Sequence, residues 1–166
     1  MRSIPVCFTV LFALLFITPA ANAGESQSTW TNDFETNFSA SFQVDGISFN
    51  YPKEFELSET TLGVFLETGA VSGQVSEGSN GRRTRDSAAE LLVDKQGGDD
   101  LREFDIAGGK AYTARSMQGE QICQTYILVF EKTEQRPIYT QFRWRADNPV
   151  NYTEMLDQII ASAKEI

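Results

Sequence analysis

Residues 38–51, "FSASFQVDGISFNY", decide the fold because they predict a β-hairpin. On both sides of Asp45-Gly46, apolar residues alternate with small polar ones, which is the period-two pattern of a half-buried strand. Asp-Gly is also the dipeptide most typical of a two-residue hairpin turn. The phenylalanines between positions 34 and 42 recur every four residues and would fit a helix, but the turn and the serines favour the hairpin.

The next segments predict a break, a strand and then a loop. Pro52 cannot donate a ladder hydrogen bond, so the second hairpin strand should end there, with Phe55 folding back onto the core. Residues 61–68, "TLGVFLET", predict a short apolar strand. The segment at 69–85, "GAVSGQVSEGSNGRRTR", is rich in glycine and serine, and we expect most of it to be an exposed loop.

A helix and four sequential strands follow. "DSAAELLVDKQGG" (86–98) predicts a helix that Asp86 or Ser87 caps and Gly97-Gly98 end. The strands are expected at "LREFDI", "KAYTARSM", "QICQTYILVFEK" and "PIYTQFRWR", with the first turn at Gly108-Gly109. Because short turns join them, they should pair antiparallel.

A second helix is predicted in the closing segment, residues 148–166. Asn151 followed by Glu154 resembles a capping box. Beyond it an apolar stripe recurs at helical spacing, formed by Met155, Leu156, Ile159, Ile160 and Ala163. A helix with such a stripe should lie on the sheet. The predicted fold class is therefore α+β, an antiparallel β-sheet flanked by helices in an α/β/α sandwich with the C-terminal helix packed on the sheet.

The first 23 residues have the pattern of a signal peptide. Arg2 precedes the uncharged apolar run 6–18, and Ala21-Asn22-Ala23 is a small-x-small cleavage pattern, which predicts cleavage after Ala23. The run is shorter than the ~20 residues that span a bilayer. We expect a periplasmic or secreted protein with a flexible N-terminal lead-in at 24–36 and a single domain at 37–166. An uncleaved N-terminal anchor is the alternative.

Charge and cysteine content narrow the class of protein. The net charge is −9, and loss of Arg2 would make it more negative, which disfavours nucleic acid and anionic membranes as partners. The predicted mature chain keeps only Cys123, so no internal disulfide can form within it. Cys123 lies in an apolar run, which predicts a buried, inert thiol. The chain has no histidine, and this excludes Ser-His-Asp triads and His-based metal sites.

Three parts of the chain together resemble the PsbP/DcrB-like superfamily, which includes the PsbP subunit of photosystem II, the bacterial envelope protein DcrB and a nuclear Ran-binding accessory protein. They are "GISFNYPKEFEL", "FDIAGGKAYTARSM" and "YTEMLDQIIASAKE". The matching positions are Gly46, Ile47, Phe49, Tyr51, Pro52, Phe55, Leu57, Gly109, Ala111, Tyr112, Leu156, Ile159, Ser162 and Lys164. The resemblance covers about residues 38–166. It implies a sheet sandwiched by helices and an accessory or interaction module without enzymatic activity. The metal-linked roles of the photosynthetic branch are not carried over to this chain, and we expect no metal site and no cofactor.

Candidate binding residues come from three stretches. On "PIYTQFRWR", period-two alternation places Tyr139, Gln141, Arg143 and Arg145 on one face, and Tyr139, Arg143 and Arg145 are candidates for partner binding. In "GSNGRRTRD", Arg82, Arg83 and Arg85 are candidates for anion binding before a helix. In "DDLREFD" we interpret Asp99, Asp100, Glu103 and Asp105 as a solvated edge, with weak calcium contact as the alternative.

The sequence therefore predicts an exported, non-enzymatic accessory module of the cell envelope that binds a protein partner or a small ligand, with no stable insertion in the membrane. Two alternatives belong to other classes of protein. One is a carboxylate-dependent hydrolase acting on an envelope polymer, which would need a cleft with two carboxyl groups. The other is a carrier of a small apolar ligand.

Overall fold

The computed structural model describes residues 38–79, 84–132 and 134–166. The predicted signal peptide and lead-in lie outside these ranges. The described chain contains ten strands, β1 Ala40–Val44, β2 Ile47–Tyr51, β3 Glu56–Thr60, β4 Gly63–Glu67, β5 Val71–Glu77, β6 Asp99–Ile106, β7 Gly109–Gln118, β8 Gln121–Phe130, β9 Ile138–Arg145 and β10 Lys164–Glu165. Helix α1 consists of an α-helical part, Arg85–Ala89, and a π-helical part, Glu90–Lys95, and helix α2 spans Thr153–Ala161.

The predicted hairpin is confirmed by β1 and β2. They pair antiparallel with Val44 opposite Ile47. Asp45 and Gly46 have φ values of 49° and 77°, so both turn residues adopt the left-handed conformation that a two-residue hairpin turn requires. β2 ends at Tyr51, directly before Pro52, as predicted. A feature that sequence patterns missed is β10, whose two residues pair with β2 and complete a three-stranded sheet.

The other seven strands form one antiparallel sheet in the order β3–β4–β5–β9–β8–β7–β6. The four strands predicted after residue 98 are β6 to β9, joined in sequence by short turns. The first turn differs by one residue from the prediction, since Gly109 already belongs to β7 and the turn consists of Ala107 and Gly108 (φ 79°). β3 and β6 form the two edges.

The prediction of an exposed loop at 69–85 is wrong for β5, which lies inside this sheet between β4 and β9. Val71 and Val75 are buried on one face, and Gly73 lies between them. A Cβ atom at Gly73 would lie 2.1 Å from Cδ1 of the buried Phe142 ring. Glycine is therefore required at this position by the close approach of a neighbouring side chain.

The cap of helix α1 lies two or three residues earlier than predicted. Its cap is Thr84, not Asp86 or Ser87, because the Thr84 side chain accepts a hydrogen bond from the Ser87 amide at 3.2 Å while Ser87 Oγ accepts from the Thr84 amide. Its end is as predicted, with Gly97 at φ 65°. The helix packs on one face of the seven-stranded sheet through a small cluster, formed by Ala88, Leu92, Tyr112, Ala114 and Ile127.

Helix α2 packs into the main apolar core and contacts β2 of the three-stranded sheet and β6 of the seven-stranded one. The predicted apolar stripe is confirmed: all five of its residues are buried in a core that includes both sheets. The predicted capping box is wrong, since Tyr152 occupies the cap position without a side-chain cap. Asn151 Oδ1 instead accepts a hydrogen bond from the Thr153 amide at 3.2 Å. The Tyr152 ring packs edge-on against Trp144, with centroids 5.9 Å apart.

The structure thus belongs to the α+β class, with mostly antiparallel strands and two short helices. Within the described ranges, no helix has the length and apolar character that crossing a membrane would require.

Candidate interaction site

A polar surface lies on the α1 side of the sheet, over β4, β5 and β9. Cross-strand pairing brings Ser72 opposite Arg143 and Gln74 opposite Gln141, and it places Phe65 of β4 opposite Gln74. We call these five residues the β5–β9 face. All of them are at least partly exposed. The sequence pattern of β9 indicated its two residues of this face, whereas the two residues on β5 were missed because β5 resembled a loop.

Arg143 carries the exposed charge of the β5–β9 face. Its Nη2 and Nε donate to Gln141 Oε1 at 2.6 and 3.2 Å. The Gln141 amide is itself fixed, since its Nε2 donates at 3.1 Å to the hydroxyl of the buried Thr125. Among the residues that the structure describes, no carboxylate pairs with Arg143, although Arg145 next to it on the same face has one. The guanidinium is therefore oriented by a neutral neighbour and keeps its full charge for a ligand.

The other two candidates on β9 have local partners. Tyr139 Oη accepts a hydrogen bond from Gln96 Nε2 at 2.8 Å, which joins β9 to the end of α1. Arg145 forms a bidentate pair with Asp147 at 2.9 and 2.7 Å, and this pairing raises the pKa of Arg145 and lowers the pKa of Asp147. Of the three predicted residues, only Arg143 has a charge that is not already neutralised by a neighbour.

Cys123 lies directly opposite Arg143 on β8, on the same face of the sheet. Its side chain is fully buried, as predicted. Burial raises the pKa of the Cys123 thiol, and the positive charge of Arg143 offsets only part of that effect. The thiol is therefore a packed neighbour of the β5–β9 face and not a nucleophile within it.

Of the three arginines proposed to bind an anion, the structure describes only Arg85. Arg82 and Arg83 lie outside the described residues. Arg85, the first residue of α1, pairs with Glu103 of β6, with Nε 2.9 Å from Oε2. This ion pair fastens the start of α1 to the edge of the sheet.

The four acidic residues of "DDLREFD" lie along β6, and three of them pair with cations in different directions. Glu103 contacts Arg85 and Lys110, and Asp105 lies 3.1 Å from Lys110. Asp100 has φ 53° at an irregularity of the β6–β7 register and lies 3.8 Å from Arg102. Asp99, at the start of the strand, is exposed. In the described part of the chain, no group of three or more acidic, cysteine or histidine residues is arranged to hold a metal ion.

A second polar cluster, on the α2 side of the sheet, was not indicated by any sequence pattern. Asp157 of α2 accepts a hydrogen bond from Tyr126 Oη at 2.8 Å and from Arg102 Nη1 at 2.9 Å. Tyr126 is completely buried, and burial, reinforced by the charge of Asp157, raises the pKa of the phenol well above its ordinary range. The bond to Asp157 raises the pKa of Arg102. These three residues join α2 to β6 and β8.

A groove runs beside this cluster, between β6 and α2, with a volume of about 630 Å³. It is lined by Arg102, Glu103, Phe104, Glu154, Asp157, Gln158 and Ala161. Glu154 and Asp157 are the two carboxylates that α2 contributes. Since Asp157 already accepts hydrogen bonds from Tyr126 and Arg102, its carboxylate joins α2 to the sheet.

A small apolar cavity beside Phe55 and Met155 measures about 30 Å³, the space of about one water molecule, and is too small for an apolar ligand.

Comparisons with known proteins bear on the fold alone. No family model and no curated protein matches the chain. One solved structure that it resembles is a crystal structure from Bacteroides thetaiotaomicron VPI-5482, at a TM-score of 0.50 and 12% sequence identity, covering 73% of this chain and 45% of that chain. The chain thus spans less than half the length of that protein. At 12% identity, the likeness indicates a shared arrangement of strands and helices and carries no function to this chain.

Proposed function

We propose that this chain is an exported, non-enzymatic accessory module of the cell envelope that binds another protein through the β5–β9 face. The single observation that supports this function is the exposed guanidinium of Arg143, which is oriented by Gln141 on an uncharged polar surface. Export to the periplasm or the exterior is supported by the apolar run at 6–18 and the Ala21-Asn22-Ala23 pattern.

The chemistry of the β5–β9 face favours a partner that presents a carboxylate. A guanidinium binds a carboxylate through two parallel hydrogen bonds, and arginine is among the residues that most often dominate interface energies. Ser72, Gln74 and Gln141 can satisfy polar groups around that pair, and Phe65 adds apolar area beside them. The chain as a whole is acidic and therefore repels anions in general. Arg143 on the β5–β9 face can bind a carboxylate of a partner at one defined position, which favours specificity.

The finer architecture that we propose is the PsbP/DcrB-like sandwich. It is supported by two separate apolar clusters on the strands of the seven-stranded sheet, one containing Leu92 of α1 and the other containing Leu156 of α2. It is also supported by Pro52 directly after the second hairpin strand and by the buried Ile159, both of which match the resemblance. The members of that superfamily mostly act as interaction modules, in agreement with the function proposed.

A pair of arginine variants tests the proposed function. Cells that make the chain with an affinity tag are crosslinked, and the captured proteins are quantified for the natural chain, for Arg143→Ala and for Arg145→Ala. We expect Arg143→Ala to lower the yield of a specific captured protein at least about tenfold, since truncating one partner of a hydrogen-bonded interfacial charge pair costs about 2 kcal/mol or more. Arg145→Ala is the matched control, because its charge is already paired with Asp147. Equal yields from all three chains, at equal circular dichroism, would contradict the proposal.

A further inference from the structure

β6 is an edge strand with an open side that faces a groove. Within the described ranges it pairs only with β7, so alternate backbone N–H and C=O groups point away from the sheet. The irregularity between Asp99 and Arg102 leaves the pairing regular from Arg102 to Ile106. An extended segment of another chain could therefore continue the ladder along this part of β6.

Helix α2 forms the far wall of the groove with one stripe of its surface. Glu154, Asp157, Gln158 and Ala161 recur at the spacing that places residues on a single helix face. On the strand side, Arg102 and Phe104 point into the groove, because residues two apart share a face of the sheet. Phe104 is half-buried and packs at the margin of the main core. It offers apolar contact to a side chain of an added strand that faces the groove.

Charge identifies the occupant of this groove. Six carboxylates line it or flank it along β6, namely Asp99, Asp100, Glu103, Asp105, Glu154 and Asp157, whereas the cations beside them are Arg85, Arg102 and Lys110. Each of these cations is already paired with one of the six carboxylates. The excess negative charge repels a second copy of β6 and attracts a basic segment.

We propose that the edge of β6 binds an extended segment of a partner protein in which lysine or arginine alternates with apolar residues, added to the sheet as a further strand. The apolar side chains then cover Phe104, and the basic side chains meet Glu103 and Asp105 on the other face of the strand. This surface is separate from the β5–β9 face and accepts the opposite charge, so the inference does not depend on the proposed function.

Peptide binding tests this inference directly. The probe is a fluorescent eight-residue peptide of alternating lysine and valine, whose affinity for the chain is measured by fluorescence anisotropy. Two comparison peptides carry glutamate in place of lysine, or N-methyl groups on alternate backbone nitrogens. We expect the lysine peptide to bind and the glutamate peptide not to bind. N-methylation should weaken binding at least about tenfold, because it removes two or more ladder hydrogen bonds of net strength about 1 kcal/mol each. Equal affinity of the methylated peptide would show charge attraction without strand addition and would overturn the proposal.

Variants then locate the site. Asp105→Lys should weaken binding of the lysine peptide, because the exposed Asp105 lies on the face that the lysines meet. Glu59→Lys, a carboxylate-to-lysine change on the opposite edge strand β3, should leave it unchanged. Arg143→Glu should also leave it unchanged, which separates this site from the β5–β9 face. In hydrogen exchange, bound peptide should slow the amides of residues 102–106. Equal losses in both lysine variants, or protection only outside β6, would refute binding at this edge.

Discussion

Replacing Asp157 with alanine should destabilise the protein by about 2–3 kcal/mol, because a completely buried phenol then loses its acceptor. A buried donor left without a partner costs about 1–3 kcal/mol. The pair with Arg102 adds less than about 1 kcal/mol, since the Arg102 side chain is 36% exposed and solvent screens its charge. The loss is a large part of a total stability that is typically about 5–15 kcal/mol.

The measurement is chemical denaturation of four chains that form a double-mutant cycle: the natural chain, Asp157→Ala, Tyr126→Phe and the double variant. Tyr126→Phe removes the hydroxyl together with its need for an acceptor, so alone it should cost only about 1 kcal/mol. In the Asp157→Ala background the same change should cost nothing or restore stability. We therefore expect a coupling energy of about 1–2 kcal/mol between the two positions.

A matched control is Asp94→Ala on α1, where the carboxylate is exposed, and its effect should stay within about 0.5 kcal/mol. Asp157→Asn keeps an acceptor oxygen for Tyr126 and should lose about half as much stability as Asp157→Ala. Additive effects of the two changes, with no coupling energy, would show that the hydrogen bond between Tyr126 and Asp157 does not hold α2 to the sheet.

Three further predictions follow from packing and burial. Gly73→Ala should lower the free energy of unfolding by about 1–3 kcal/mol in a thermal unfolding assay, because its Cβ would overlap the Phe142 ring. Gly69→Ala is the control and should be neutral, since a Cβ at Gly69 meets open space. Equal effects of the two variants would refute the position of β5. Because folding raises the pKa of Tyr126, its contribution is complete below pH ~10 and is lost as the pH rises further. The stability difference between the natural chain and Tyr126→Phe should then shrink in alkaline denaturation series, and a constant difference would contradict this. Because Cys123 is buried, it should react with a thiol reagent only as fast as the chain unfolds. Peptide mass spectrometry identifies the labelled cysteine, and fast labelling of the folded chain would show that Cys123 is accessible.

Local sequence patterns predicted those elements of the fold whose conformation or burial is determined by one short stretch of residues. Asp45-Gly46 specifies a turn by its own backbone preferences, and the stripe from Met155 to Ala163 specifies which side of α2 is buried. β5 was missed for the converse reason. Gly73 must be small because the Phe142 ring, which lies far along the chain, packs against it. The sequence around Gly73 is rich in glycine and serine, which is typical of a loop.

The sequence also predicted only those features of the candidate sites that depend on local patterns. Alternation along β9 placed Arg143 on the correct face, because the side-chain period of a strand is local. Whether its charge is free depends on contacts that alternation does not encode, such as the pairing of Arg145 with Asp147. The cluster around Asp157 joins residues 31 and 55 positions away, and no local pattern links residues over such separations.

Site-specific photo-crosslinking from the β5–β9 face tests the central claim, that this face binds a protein partner through Arg143. A photoreactive amino acid replaces Gln74, which faces Gln141 across β5 and β9, and the chain is irradiated in the cells that produce it. We predict a discrete adduct with one protein that disappears with Arg143→Glu and persists with Arg145→Ala. The absence of any adduct from Gln74, or an adduct that Arg143→Glu leaves unchanged, would contradict it.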